Sequence, residues 1–376
     1  MDLTVERRDL RDAVRGLLAK TQSDKSQPSK TGAGRPAWRR LCDEIGVAGL
    51  AIPERYGGSG VGLAEICVVM EELGRNLTPS PMLGSAVIAA QAVLASGDDA
   101  ACERLLPAIA DGSQIAALAW TTSAGHWDTA EAGCEARYDG GRGGGGWRLD
   151  GEAHYVLDGA AADVLLVAAG TPDGTGLFEV SPRQDGVTRA PVATMDASRG
   201  LAVVRLSGAL GQRVGGDAAG PLAFARGQAC IALGAEQVGA AQGALALTLG
   251  HLRTRVQFGQ PIGGFQALQH RAADLYVLVE SAQSLARAAA LAADETGGAA
   301  SGGADPDRGP RAAAVKVYCS EALTQTAGEM IQLHGAIGVT WEHRAHRYLK
   351  RAHSGRYLFG SPARHLATIA ASLIDG

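Results

Sequence analysis

The chain has 376 residues, 46% of them hydrophobic, and a formal net charge of −4. This length is enough for two or three structural units that share large cores. No basic tract stands out and no apolar run reaches the roughly 18 residues that span a bilayer, so we expect neither a nucleic-acid partner nor a membrane span. The charged N-terminus lacks the apolar core of a signal peptide, which favours a cytoplasmic protein.

The cysteine pattern argues against disulfide and metal chemistry. None of the six cysteines belongs to a CxxC pair or to a Cys/His cluster with metal-ligand spacing. We therefore expect buried, reduced thiols, no disulfide and no metal site. The cysteines are Cys42, Cys67, Cys102, Cys134, Cys230 and Cys319.

Residues 1–115 are predicted to form an N-terminal all-α domain. Apolar residues recur there at helical spacing, and turn residues separate the stretches. Glu71 and Glu72 are interpreted as a solvated helix end, and Gly49–Gly60 as a turn-rich connector. The predicted helices are Ala37–Val47, Ala64–Gly74, Ser85–Ser96 and Ala101–Ala110.

Residues 116–222 are predicted to form a middle β domain. Short apolar runs alternate with turn residues, as is typical of β-strands. Arg142–Trp147, which contains four consecutive glycines, is interpreted as a flexible hairpin tip. The predicted strands are Ile115–Trp120, Trp147–Leu149, Val164–Ala168, Gly176–Val180 and Ala202–Leu206.

Residues 223–376 are predicted to form a C-terminal helical bundle. The stretch Thr296–Asp305 is rich in glycine and is interpreted as a mobile loop. Four long helical stretches with short connections indicate a bundle, and the last stretch holds one or two helices. These stretches are Phe224–Gln257, Phe265–Glu295, Pro310–His334 and Arg344–Asp375.

Three segments at characteristic separations point to a family. They are Gly46–Gly60, the segment Arg255–Asp274 with its Arg-x-x-Phe-Gly motif, and Gln332–Glu342 with its Gln-x-x-Gly-x-x-Gly motif. In this order they resemble the N-terminal loop and the two flavin-binding segments of the acyl-CoA dehydrogenase family. The resemblance implies an α+β fold with an N-terminal helical domain, a middle β-barrel-like domain and a C-terminal four-helix bundle.

The resemblance also implies a cofactor and an assembly. In the family these segments bind the ADP half of FAD across a subunit boundary, one subunit supplying the first segment and its neighbour the second. Charge-assisted bonds to pyrophosphate, an aromatic face, amide groups and close backbone approach are the contacts that such a site requires. The matching residues here are Arg255, Phe258, Gln266, Gln332, Gly335 and Gly338. We expect a homo-oligomer or an α2β2 assembly with a paralogous chain.

The family removes two hydrogens across Cα–Cβ of an acyl-CoA thioester. A carboxylate takes the Cα proton, the flavin takes hydride from Cβ, and hydrogen bonds hold the thioester oxygen. The resemblance therefore implies an acyl-CoA substrate. It also implies an electron-transfer flavoprotein or a similar electron acceptor.

Several positions depart from this plan. The two positions where the family places its base are Phe359 and Ala229, and neither side chain can accept a proton. Leu157 stands where a hydroxyl would bond near flavin N5, and Tyr155 replaces a tryptophan. The segment Trp120–Asp128 also differs from the family's flavin-adjacent sequence.

These departures leave alternatives open. Glu236 lies seven residues after Ala229, two turns along the same helix face, amid Ala, Ile, Leu and Val. Burial would raise the pKa of such a carboxyl group, which suits a catalytic base, but Glu236 could equally make a buried structural contact. If it is structural, the chain is the non-catalytic, FAD-completing subunit of a heteromer. A third alternative is a flavin monooxygenase built on the same fold.

Overall fold

A computed structural model describes residues 3–22, 34–125, 127, 132–140, 146–296 and 308–374. Most of the predicted hairpin tip at 142–147 and of the predicted glycine-rich loop at 296–305 lies outside the described residues.

The N-terminal region consists of helices around one shared core. Each predicted helix is present, whereas the sequence pattern does not predict the first one. That helix buries only a short stripe, Val14, Leu17 and Leu18, and its remaining surface is polar. The elements are α1 (Val5–Gln22), α2 (Arg35–Ile45), α3 (Leu63–Asn76), a π-helical segment (Met82–Ala89) continued by α4 (Ala90–Ala95), and α5 (Asp99–Ala110).

The interpretation of Glu71 and Glu72 as a solvated helix end is wrong. Their exposed fractions are 4% and 0%, because α3 is covered by α1 on one side and by the bundle on the other. Glu71 accepts hydrogen bonds from Arg287 and Gln283, and Glu72 accepts two from Arg15. Both carboxylates therefore tie the N-terminal helix layer together and to the bundle.

The middle region is a closed sheet. Strand β4 pairs with both β2 and β5, and the path β4–β2–β3–β7–β5 returns to β4, so these strands form a barrel. Strand β1 pairs in parallel with β4, and β6 pairs with β7. The sequence pattern predicts neither β2 nor β6, because their outward residues are polar. The strands are β1 (Ala116–Ala119), β2 (Cys134–Asp139), β3 (Gly146–Leu157), β4 (Val164–Thr171), β5 (Gly174–Val180), β6 (Val187–Pro191) and β7 (Leu201–Val214).

The C-terminal region is a bundle centred on α6. This helix packs against α3 and α8 along most of its length. It is apolar and long enough to cross a bilayer, but 83% of its apolar window is buried by the protein itself, as expected of a core helix. The helices are α6 (Ala219–Thr254), α7 (Gln266–Glu295), α8 (Arg308–His334), α9 (Ala345–Tyr357) and α10 (Pro362–Ile374). The predicted order of helical region, barrel and bundle is confirmed.

Small residues allow α3 and α6 to cross at close range. A Cβ added at Gly239 would overlap the backbone oxygen of Glu71, and one added at Gly74 would overlap that of Glu236. Close backbone approach of this kind requires glycine. The crossing places the middle of α6 next to the N-terminal helices, and this position brings Glu236 beside the barrel.

Candidate functional site

The segment after α6 forms a small hairpin at one end of the bundle. Strands β8 (Val256–Gln257) and β9 (Gln260–Pro261) are joined by Phe258 and Gly259, whose φ angles are 52° and 78°. Two consecutive positive φ values are typical of a primed two-residue turn. Phe258 is 92% exposed at the tip, with its ring 6.0 Å from that of Phe265.

Three predicted cofactor residues are exposed at helix ends. Arg255 follows the last residue of α6, and no described residue forms an ion pair with its guanidinium. Gln266 is the first residue of α7, and Gln332 is in the last turn of α8. Exposed donors at helix ends are available to a ligand or to a partner chain.

The two glycines of the second segment have different roles. Gly335 adopts a φ of 64° where α8 ends, and a Cβ there would meet nothing within 4 Å. Gly338 is buried, and a Cβ there would lie 3.0 Å from the backbone oxygen of Ile331. Gly335 therefore leaves open space for a ligand, whereas Gly338 is required by packing within this chain.

Three neighbouring imidazoles, which we call the histidine stack, join the two segments. The ring of His251, one turn before Arg255, lies 4.4 Å from that of His334, which lies 4.3 Å from that of His343. Nδ1 of His334 is 2.7 Å from the Met330 carbonyl oxygen. Burial, followed by the neighbouring imidazoles, lowers the pKa of His251 and of His343. This histidine stack places both segments of one chain at the same end of the bundle.

The two positions that would carry a base are closed by apolar packing. Ala229 and Phe359 have exposed fractions of 0% and 1%. Phe359 contacts Trp127 edge to face at 5.1 Å between ring centroids, and Trp127 contacts Trp120 at 5.9 Å. These rings leave a cavity of about 10 Å³, which we call the ring cavity. Its lining includes Trp120, Trp127, Tyr155, Leu157 and Phe359.

Glu236 is tied into an ion-pair cluster rather than surrounded by apolar side chains. It accepts short bonds from Arg199 and Arg351, and its exposed fraction is 4%. Arg351 also donates from Nε to Asp196 at 2.8 Å and from Nη2 to the Ser198 hydroxyl at 2.7 Å. The prediction that Glu236 has apolar surroundings is therefore wrong, because residues distant in sequence bring two guanidinium groups to this carboxylate.

A second, much larger cavity lies between the barrel and the N-terminal helices. Its volume is about 880 Å³, and we call it the arginine cavity. Leu157 lines both this cavity and the ring cavity. The neighbouring Asp158 has a φ of 56°, and burial raises its pKa to about 7, partly offset by Arg199. Sequence reasoning did not identify Asp158, although an aspartate followed by glycine at a strand end is a recognisable turn signal.

Comparison with known proteins identifies the family. The acyl-CoA dehydrogenase N-terminal domain matches residues 4–113, and the acyl-CoA dehydrogenase C-terminal domain matches residues 223–374. The chain belongs to the acyl-CoA dehydrogenase family. It is 36% identical over 364 residues to acyl-CoA dehydrogenase IpdE2 of Mycobacterium tuberculosis, covering 95% of this chain and 94% of that protein.

Two solved structures of acyl-CoA dehydrogenase fold are similar over their whole length. One is a variant of the Tcur3481-Tcur3483 steroid ACAD, with a TM-score of 0.83 and 30% identity over 99% of this chain and 98% of the other. The second is the ChsE4-ChsE5 complex from Mycobacterium tuberculosis, with a TM-score of 0.86 and 29% identity over 100% of both chains. The predicted acyl-CoA dehydrogenase fold is confirmed.

Acyl-CoA dehydrogenases use FAD, and the residues that the resemblance assigns to its two halves are arranged differently in this chain. At the bundle end, Arg255 and Gln332 are exposed and a Cβ at Gly335 would meet nothing within 4 Å, which suits an ADP moiety. At the ring position, the cavity of about 10 Å³ is near the minimum for one water molecule. A three-ring flavin does not fit among Trp127, Leu157 and Phe359 as they are packed here.

Proposed function

We propose that this chain is the FAD-completing subunit of a two-chain acyl-CoA dehydrogenase and does not supply the catalytic base. One observation carries the proposal: Trp127 and Phe359 fill the position that the resemblance assigns to the flavin ring and the base. Phenylalanine cannot accept a proton, and a filled cavity excludes both the ring and the thioester.

The similar structures support a second chain. Both are named as pairs of components, Tcur3481 with Tcur3483 and ChsE4 with ChsE5. A paralogous partner with an open ring site and its own carboxylate would supply what this chain lacks. The assembly would then dehydrogenate an acyl-CoA thioester and pass electrons to an electron-transfer flavoprotein or a similar acceptor.

The residues of this chain would act on the ADP end of the cofactor. Arg255 would bond the pyrophosphate, because a guanidinium forms charge-assisted bonds to phosphate oxygens. Phe258 would cover an aromatic ring, and Gln266 and Gln332 would add amide hydrogen bonds. Because the family takes the two segments at one cofactor from neighbouring subunits, the partner chain would supply the second segment at any FAD that Arg255 binds. When FAD is bound, its flavin ring would be the hydride acceptor.

The proposal predicts how flavin is retained. Purified alone, the chain should be colourless, and co-expressed with its paralogue it should give a yellow heteromer that bleaches with acyl-CoA. Arg255→Ala should lower flavin per heteromer several-fold, because removing one partner of a charge-assisted bond costs about 2 kcal/mol. The measurement is flavin absorbance after gel filtration.

Arg253→Ala is the matched control, because Arg253 is also exposed and lies two residues earlier on α6. Full flavin occupancy is expected in this variant. The proposal fails if the chain alone carries flavin and bleaches with acyl-CoA, or if Arg255→Ala leaves occupancy unchanged. Rapid reoxidation by O₂ with a hydroxylated product would instead favour the monooxygenase alternative.

A further inference from the structure

The arginine cavity has two chemically different walls. Its volume of about 880 Å³ is within the range of small-molecule sites, roughly 300–1,000 Å³. Helix α3 and the π-helical segment contribute an apolar wall that includes Met70, Leu73, Met82 and Leu83. The loops of the barrel contribute a wall of charged side chains. An occupant that satisfies both walls must be amphipathic.

The charged wall carries more positive than negative groups. Arg183 is exposed, and no ion pair to it is formed by any residue that the structure describes. Arg189 donates to the carbonyl oxygens of residues 159, 160 and 162 at 3.2, 3.2 and 2.8 Å, without a carboxylate partner in the described part of the chain. Arg35 is balanced by Asp163 at 3.2 Å. Two guanidinium charges are thus left without a counter-ion.

The deeper part of this wall contains Arg199 and Asp158. Arg199 is paired with Glu236, and its buried Nε finds no hydrogen-bond acceptor among the residues that the structure describes. Glu236 and Asp196 are in turn balanced by Arg351. Within the described residues, no donor bonds the Asp158 carboxyl group, although the Asp158 amide is held by the Gly200 carbonyl at 3.0 Å. Unsatisfied polar groups in a cavity wall are available to a ligand.

We propose that the arginine cavity binds an amphipathic carboxylate, with the carboxylate on the wall of Arg183, Arg189 and Arg199 and the apolar body against Met82 and Leu83. Excess guanidinium charge selects an anion, and Arg–carboxylate geometry favours a planar head group. The named lining residues are on this chain and lie across Leu157 from the ring cavity, so the proposal does not depend on the proposed FAD role.

The probe is dansyl-undecanoic acid, titrated into the purified full-length chain and followed by fluorescence. The wild-type protein should bind it saturably, and the corresponding alcohol should bind at least several-fold more weakly. Arg183→Gln should weaken binding of the acid by about fivefold, as expected for one exposed ion pair, and leave the alcohol unaffected. Arg137→Gln, on the exposed face of β2, is the matched control and should change neither.

The protonation of Asp158 provides a second readout. The probe stays ionised between pH 6 and 8, whereas Asp158, with a pKa of about 7, becomes neutral as the pH falls through this range. Wild-type affinity for the acid should therefore rise as the pH falls. Asp158→Asn, which keeps the side-chain shape and tolerates a positive φ, should bind without this pH dependence.

Each of these measurements can overturn the proposal. It fails if the acid does not bind saturably, if the alcohol binds as tightly as the acid, or if Arg183→Gln behaves like Arg137→Gln. It also fails if Asp158→Asn folds, as judged by circular dichroism, and keeps the wild-type pH dependence. If Asp158→Asn does not fold, the comparison of Arg183→Gln with Arg137→Gln decides.

Discussion

At the scale of single residues, the neighbours of Glu236 decide between a catalytic base and a structural ion pair. Its carboxylate bonds Arg199 and Arg351, whose side chains are 9% and 4% exposed. Because each carboxylate oxygen accepts a bond from a guanidinium group, neither is free to take the Cα proton of a thioester. The buried pairs join α6 to α9 and to the loop before β7.

We therefore predict that Glu236→Gln destabilises the protein by about 3 kcal/mol or more, because it leaves two buried guanidinium groups without their shared partner. Flavin bleaching by the heteromer should persist. Glu329→Gln is the control, since its pair with Arg271 is partly exposed and should contribute less than about 1 kcal/mol. Denaturant unfolding and acyl-CoA bleaching test the two roles separately. Lost bleaching in stably folded Glu236→Gln would restore Glu236 as a candidate base.

At the scale of elements, the close crossing of α3 and α6 fixes where the N-terminal helices lie against the bundle. Gly239 faces the backbone of Glu71, and Gly74 faces the backbone of Glu236. Backbone atoms cannot rotate away as a flexible side chain can, so a methyl group at either glycine must push the helices apart. The same crossing holds Glu71 within reach of Arg287 on α7.

Gly239→Ala should accordingly lower the free energy of unfolding by about 2–3 kcal/mol, despite the higher helix propensity of alanine. Gly250→Ala, on the same helix, places its methyl group in open space. It should raise stability by about 0.5–1 kcal/mol. Thermal and urea unfolding of the two variants measure the difference. Equal effects would show that α3 and α6 can separate without cost.

At the scale of the whole molecule, the histidine stack connects chain segments that are more than 80 residues apart in sequence. His251 ends a bundle helix, His334 ends another, and His343 follows the second cofactor segment. Arg255 lies near His251, and Arg344 and His346 lie near His343. Their positive charge disfavours the protonated form of these two rings. The geometry of the proposed ADP-binding surface is thus coupled to the charge of these rings.

The pH dependence follows from the direction of the pKa shifts. Folding lowers the pKa of His251 and His343 below the usual value of about 6.5. The stability that these two neutral rings contribute to the fold is therefore present above about pH 6.5 and is lost as the pH falls through their pKa in the folded state. Asp158, whose pKa is raised, acts in the opposite direction. The quantity to measure is therefore the unfolding free energy of wild type minus that of His343→Gln.

This difference should shrink between pH 7 and pH 5.5. His270→Gln is the control, because His270 is an exposed histidine outside the stack. Its difference from wild type should stay constant over the same range. A constant difference for His343→Gln as well would show that the stack does not respond to pH.

Much of the architecture could be read from local patterns. Apolar periodicity indicated the long bundle helices, and the Arg255 and Gln332 segments indicated the family, because these signals depend on residues close in sequence. Elements with weak periodicity were missed, namely α1, β2 and β6, since each presents mainly polar residues to solvent. The interpretation of Glu71 as solvated was wrong because its burial depends on α7, which lies more than 200 residues later in the sequence.

The sequence by itself determined the family, the order of helical region, barrel and bundle, and the absence of a carboxylate at Phe359 and Ala229. Only the tertiary structure decided what occupies those positions. Trp127 meets Phe359 across more than 200 residues, and Glu236 meets Arg351 across 115. Such contacts depend on how distant elements pack, and no local pattern specifies them. For the same reason the arginine cavity, whose walls come from all three regions of the chain, became visible only in the fold.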